Sequence, residues 1–326
     1  MPLPPWHPER LAARLPYLVE RSRLAAATRA FFTARGYLEV ETPCLVPSPG
    51  AEVHLRAFAT CYLPRLATEG ARRLYLRTSP ELAIKRLLAG GVGPVFELAR
   101  VWRNGESGPL HAPEFTMLEW YRPGLDLEGL MAETEAYLRA VWPDCPPAPF
   151  RRLTMQEAFA RHAGLDLLAS IRPDGSGDPA ALGARPGEGW EDAFFRLLLE
   201  RVEPALGPEP LFLTHWPAPQ AALARRDPAD PRAALRFELF VGGMELANAF
   251  EELTDPVEQR ARLEADMAER DRLYGDPWPV DEDFLAALAH GMPASAGIAL
   301  GFDRLVMLVS GARRIADVQW LPWEEA

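Results

Sequence analysis

The sequence predicts an α+β fold, an antiparallel sheet flanked by helices, and three observations predict it. Strand-like runs come in adjacent pairs, 95–103 with 114–122 and 235–241 with 244–249, and each pair is joined by a polar or glycine-containing turn. Helical patterns lie between these pairs instead of alternating singly with strands, which disfavours a doubly wound parallel sheet. The 326 residues are 48% hydrophobic and 25% charged. That is ordinary globular composition, and roughly 75% of the unfolded surface can be buried at this size.

Each element has a local reason. Leu18, Leu24, Ala25, Thr28, Phe31 and Phe32 form one apolar stripe at helical spacing over 18–35, with Gly36 as a left-handed stop. An extended run over 38–43 follows. Residues 72–78 read as a strand, after which Ser79 as N-cap and Pro80 at the first helical position open a helix that Gly90 and Gly91 close, with Glu81 in its first turn. The runs 95–103 and 114–122 make a long hairpin. Asp126 caps a helix running to Trp142, and Thr154 with Glu157 has the spacing of a capping box ahead of a helix ending at Gly164. The Gly, Pro and Asp content of 170–189 reads as a loop, and a helix follows over 190–202. Gly242-Gly243 is a two-residue hairpin turn between 235–241 and 244–249. Helical patterns cover 255–274 and 281–289, then an extended 295–300 runs into Gly301 and a helix over 302–310. No repeat, linker or domain boundary interrupts the chain, so one domain over 1–326 is expected.

Composition excludes several classes of function. Cys44, Cys61 and Cys145 stand far apart with no CxxC pair, against a disulfide framework or a zinc cluster, and free thiols fit a reducing cytoplasm. No stretch approaches ~18 uninterrupted apolar residues, and prolines break up the opening segment where a signal peptide needs an apolar core. The net charge of −11 argues against affinity gained by coating a nucleic-acid backbone. Lys85 is the only lysine, which together with 33 prolines reads as a bias of composition and suggests no mechanism.

Glu238, Glu245 and Glu252 recur at intervals of seven around the Gly242-Gly243 turn. With those glycines as the whole loop, Val241 pairs with Met244 and Phe240 with Glu245, which sets Glu238 on the face of Glu245 and diagonal to it. Diagonal neighbours lie about 7 to 8 Å apart, within reach of a shared cation. Two carboxylates completed by phosphate and water oxygens suit Mg²⁺. A solvated polar face is the commoner origin of such spacing, and Glu252 needs a bulge or the strand's end to join the pair. Arg103 ends a strand before the 104–113 loop, and Arg304 lies in GIALGFDRL, where Gly297 and Gly301 allow close backbone approach. Arginine forks match phosphate, although a lone arginine is more often a surface or ion-paired residue.

Three segments in order, FELARVWRNGESGPLHAPEFTMLEWYRP, LRFELFVGGMELANAFEEL and AGIALGFDRLVML, resemble class II aminoacyl-tRNA synthetases of the lysyl type. The first matches that class's second motif and the last its third, and VETP at 40–43 resembles the end of the first. Only about twenty residues precede the first motif, so no anticodon-binding OB domain is expected. This shorter form is similar to the elongation factor P lysine ligase family, which joins a lysine-type amino acid, chiefly (R)-β-lysine, to a lysine of translation elongation factor P.

The resemblance implies a class II catalytic core that uses ATP and Mg²⁺ and dimerises through the first motif. It implies Arg103 on the α-phosphate, Arg304 on the γ-phosphate, Phe115 under adenine, His111 near the pyrophosphate, and Asn104, Glu106 and Gly301 among the ATP contacts. Glu238 and Glu245 would hold the metal. Glu81, Glu119, Tyr121, Glu245, Asn248, Glu252 and Ala299 would line the amino-acid pocket, Glu252 meeting the distal ammonium. Gly105 replaces a glutamate that reads adenine in lysyl enzymes unless Glu106 substitutes for it, Leu110 and Ala112 replace polar loop residues, and Ala299 replaces a glycine. The expected partner is elongation factor P, with no tRNA and no membrane. A miniature lysyl-tRNA synthetase and a non-catalytic regulatory subunit remain as alternatives, the second disfavoured because Arg103, Arg304, Glu238 and Glu245 are all present.

Overall fold

The structure, a computed structural model, describes residues 3–66, 69–147 and 149–323. Helix α1 spans Pro8–Thr33, beginning ten residues before the start predicted from its apolar stripe. Pro8 sits at the first helical position, where a missing N–H costs nothing, and the His7 ring caps the Glu9 N–H. Gly36, at φ +79°, turns the chain into β1, Leu38–Glu39, far shorter than the predicted run. Strands β2 (Leu45–Val46), β3 (Ala59–Tyr62) and β4 (Arg72–Leu76) form a small antiparallel sheet with β4 central. Helix α2 is Glu81–Ala89. Ser79 Oγ accepts the Glu81 N–H, but Pro80 occupies the cap position, one residue later than predicted.

The hairpin of β5 (Val95–Trp102) and β6 (Glu114–Pro123) pairs from Val95↔Tyr121 to Trp102↔Glu114. Helix α3, Leu127–Val141, is capped by Asp126, and β7, Arg151–Thr154, leads into α4, Met155–His162, through a complete Thr154/Glu157 capping box. Past a loop with a short 3₁₀ turn, Pro179–Leu182, come α5 (Trp190–Leu197), continued by a π turn to Val202, and β8 (Leu211–Pro217). Strand β8 is buried at nearly every position and so lacks the alternation that identifies a strand in sequence. The chain ends through β9 (Ala233–Val241), β10 (Met244–Glu251), α6 (Pro256–Tyr274), α7 (Glu282–Gly291), β11 (Ser295–Gly301) and α8 (Phe302–Ser310).

Eight strands form the main sheet in the order β1-β5-β6-β11-β10-β9-β8-β7. Every pairing from β5 to β8 is antiparallel, and only β1 and β7 at the two edges pair in parallel. One face carries Leu118 and Trp120 of β6, Ile298 and Leu300 of β11 and Phe237 and Leu239 of β9, which pack with Phe32 of α1, Tyr137 of α3 and Leu305 of α8 in one buried cluster. Residues of opposite parity therefore project from the other face. Those are 115, 117, 119 and 121 of β6, 297, 299 and 301 of β11, and 236 and 238 of β9.

Candidate active site

Strand pairing sets these residues in transverse rows. One runs Glu97, Glu119, Ala299, Asn248, Glu238 across five strands, and its neighbour runs Val95, Tyr121, Gly297, Phe250, Arg236. Above the rows lies a cavity of about 650 Å³, closed on its sides by the 104–113 loop, α2, α6 and residues 218–226.

One end of the cavity is cationic. Arg103 lies 5.2 Å over the Phe115 ring and 3.5 Å from Glu106. Arg304 donates to the Glu245 carbonyl at 2.7 Å and meets His111 Nε2 at 2.8 Å. For the guanidinium to donate, that nitrogen must be unprotonated, and burial followed by the Arg304 charge lowers the His111 pKa in the same sense.

The other end is lined by buried carboxyl groups. Glu119 has no solvent exposure and accepts from Ser79 Oγ at 2.7 Å and Tyr121 Oη at 2.9 Å. Burial, reinforced by the charge of Glu81, pushes its carboxyl up to about 8. The ammonium of Lys85 lies 2.5 Å from Glu81 and 2.6 Å from Glu252. Gly297 leaves room for this arrangement, since a Cβ there would lie 2.1 Å from the Tyr121 ring and 2.7 Å from Glu252 Oε1.

The hairpin holding the expected metal pair departs from the predicted register. Gly242 and Gly243, at φ +64° and +75°, form the two-residue turn, and Val241↔Met244 and Phe240↔Glu245 pair as expected. A bulge between Glu245 and Ala247 then brings Asn248, in place of Ala247, opposite Glu238. The extra residue leaves Glu245 on the cavity wall, 43% exposed, while Glu238 is buried and bonded to Arg236 at 2.6 Å. Glu238 is raised to about 8 by burial and then by the charge of Glu245, so the two carboxylates still feel each other. A shared cation would relieve that repulsion. Among the described residues no group of three or more His, Cys, Asp or Glu is placed to hold a metal, so a cation here needs ligand and water oxygens.

Of the residues predicted from sequence, the cavity wall contains Glu81, Arg103, Glu106, His111, Phe115, Tyr121, Glu245, Asn248, Ala299, Gly301 and Arg304. Four lie off it. Glu119 and Glu252 are buried behind the floor, and Glu238 lies beneath Arg236. Asn104 is exposed, and its N–H is bonded to the Arg56 carbonyl at 2.7 Å. Glu106 does line the cavity, as replacement of the glutamate missing at Gly105 requires, and Leu110 and Ala112 line it too. Sequence reasoning missed Lys85 and Arg236. The second donates to both Glu238 and Asn248 and stacks 4.0 Å from the Trp216 ring. The one available signal for Lys85 was its i,i+4 spacing from Glu81.

Comparison with known proteins finds relatives over nearly the whole chain. The family model of class II tRNA synthetases (D, K and N) matches residues 13–325. Elongation factor P–(R)-β-lysine ligases of Salmonella dublin, Salmonella paratyphi B and Salmonella heidelberg are each 45% identical over 318 residues, covering 96% of this chain and 96% of theirs.

Proposed function

Because this chain belongs to the class II tRNA synthetase family and is close kin to its elongation factor P ligases, we propose that it activates (R)-β-lysine, or lysine, with ATP and passes it to a lysine of elongation factor P. The observation that carries this reading is the polarity of the cavity, with two arginines at one end and buried carboxylates at the other, on one face of one sheet. Such a cavity suits a molecule that is anionic at its phosphates and cationic at its distal amine.

The amino-acid carboxylate attacks the α-phosphorus in line, a P–O bond forms, and the bond to the pyrophosphate leaving group breaks. Arg103 meets the charge that develops on the α-phosphate, and Arg304, braced by the Glu245 carbonyl and His111, holds the γ-phosphate. Positioning and charge supply the rate, so no nucleophilic side chain is needed. The acceptor lysine, as free amine, then attacks the acyl carbon, an amide bond forms, and AMP departs. Glu238 and Glu245 would hold Mg²⁺, whose contribution is to neutralise phosphate charge. Glu252 and Glu81 take the distal end of the amino acid, Tyr121 closes over it, and Asn248 and Ala299 border the second amine.

The protein works as a cytoplasmic homodimer of one catalytic domain per chain. Exposed apolar side chains on α1 and after it, Leu15, Val19, Leu38 and Leu45, support an interface there. No helix among the described residues is long and apolar enough to cross a membrane. A charge of −11 works against tRNA as acceptor. Pyrophosphate exchange with a panel of amino acids tests activation, and labelled transfer to elongation factor P against tRNA tests the acceptor. Exchange with no amino acid would overturn the reading, and efficient charging of tRNA would favour a miniature lysyl-tRNA synthetase.

A further inference from the structure

Lys85 is the chain's single lysine, against 34 arginines among 35 basic residues. It is also one of the most buried charges, with a side chain 1% exposed. Helix α2 places it one turn after Glu81, and its ammonium bridges Glu81 at 2.5 Å and Glu252 at 2.6 Å, with the Phe250 and Phe284 rings each 6.0 Å away. A compact ammonium fits between two carboxylates and two rings where a planar guanidinium is wider. Glu252 has no exposed side-chain surface, and neither of its oxygens has a hydrogen-bond donor in good geometry. Oε2 faces Lys85, and Oε1 points toward Gly297 and Tyr121, at the cavity floor. A buried carboxylate with an oxygen unsatisfied on the cavity side lacks a donor that a ligand can supply.

We propose that Lys85 is a positioning residue that favours the ionised form of Glu252 and turns it toward the cavity, and that with Glu252 ionised it sets the distal pocket to one net negative charge, matched to a single ammonium. The inference rests on the reading that Glu252 receives the distal amine. Two carboxylates alone would hold two charges in a sealed space and would take up a proton instead of the ligand. With Lys85 among them, one charge is left over. The charged and titratable groups facing Glu252 are Lys85 and Glu81 from α2 and Tyr121, itself bonded to Glu119, from β6. Burial raises the Glu252 carboxyl to about 8, the Lys85 charge opposes that rise and the Glu81 charge adds to it, while the two glutamates hold the ammonium in its charged form.

The test compares Lys85→Met with Lys85→Arg in the full-length protein. At pH 7 the methionine variant is expected to raise the KM for the amino acid about 10- to 100-fold, the range for losing one charged hydrogen bond. Its KM for ATP should stay within about twofold, the deficit should narrow as pH rises and Glu252 ionises, and arginine, which keeps the charge but is wider than the slot, should recover only part of the loss. Equal changes in both KM values, or a deficit independent of pH, would overturn the proposal. Should the methionine variant lack a cooperative melting transition, infrared difference spectra of the parent against Glu252→Gln decide the matter. No protonated-carboxyl stretch should be lost at pH 9, and loss of one refutes the role. The infrared result does not require activity, so it separates failure of this inference from failure of the lysine-activation reading.

Discussion

Gly297 is where the amino-acid end of the cavity is most sensitive to a single atom. A Cβ there would collide with a Tyr121 ring that is itself buried, and overpacking of this kind costs about 1 to 3 kcal/mol. Gly297→Ala should therefore raise the KM for the amino acid while leaving that for ATP unchanged, as measured by pyrophosphate exchange. Two residues along β11, Ala299 lies between Glu119 and Asn248, so its methyl stands beside Asn248 at the place proposed for the second amine. The parent is expected to prefer (R)-β-lysine to α-lysine. Ala299→Gly should shift kcat/KM toward α-lysine by about 10- to 200-fold, the usual worth of one methyl-sized change in a tight pocket. An unchanged ratio of the two kcat/KM values would exclude Ala299 as the selector. Glu119 gives a pH signature. Its folded pKa, about 8, lies above the ordinary carboxyl value, so between those two values the folded state binds more protons than the unfolded chain. Its contribution therefore falls as pH rises through that window, and the melting temperature of the parent should decline from pH 5 to 8 relative to Glu119→Gln.

The β9–β10 hairpin shows how far local sequence dictates an element. Gly243 has φ +75° with open space around the position of a Cβ, so Gly243→Ala isolates backbone strain. Denaturant unfolding should register a loss of about 1 to 2 kcal/mol. The turn and its first two pairs were legible because two glycines and flanking apolar residues leave few alternatives. The bulge three residues on was not, because nothing local requires it, and it decides that Glu238 faces Asn248. The same division runs through the chain. Asp126 and the Thr154/Glu157 box mark helix starts through bonds made within one turn, whereas β8 hides because both its faces are covered by distant parts of the chain. The site residues on β6 and β11 were legible through the resemblance of their motifs, and strand parity sets them on one face. Lys85 was not, because its meaning comes from Glu252, which reaches it only through tertiary packing.

At the scale of the whole molecule, the outer side of α1 carries Leu15 and Val19 one turn apart, 46% and 59% exposed, and Leu38 and Leu45 follow soon after in the chain. If this is the dimer face, Val19→Glu should convert a dimer to a 36.2 kDa monomer in light scattering at micromolar concentration. A parent that is already monomeric would refute the interface. The inner side of the same helix is fastened to the far end of the chain. Arg21 pairs with Asp303, 282 residues away, and also donates to Thr116. Arg14 donates to the carbonyls of Ala316 and Gln319, and the Ile315 N–H is bonded to the Pro109 carbonyl. These fastenings impose an order on biosynthesis. At the ribosome's pace of about 5 to 20 residues per second, Arg21 emerges roughly 15 to 55 s before Asp303 is made. Once β10 is made, the middle of the sheet still lacks β11, the strand that joins β6 to β10, so the nascent chain exposes two unpaired strand edges and the apolar side of α1. The unfinished polypeptide should thus depend on holding chaperones until residues 295–303 are released.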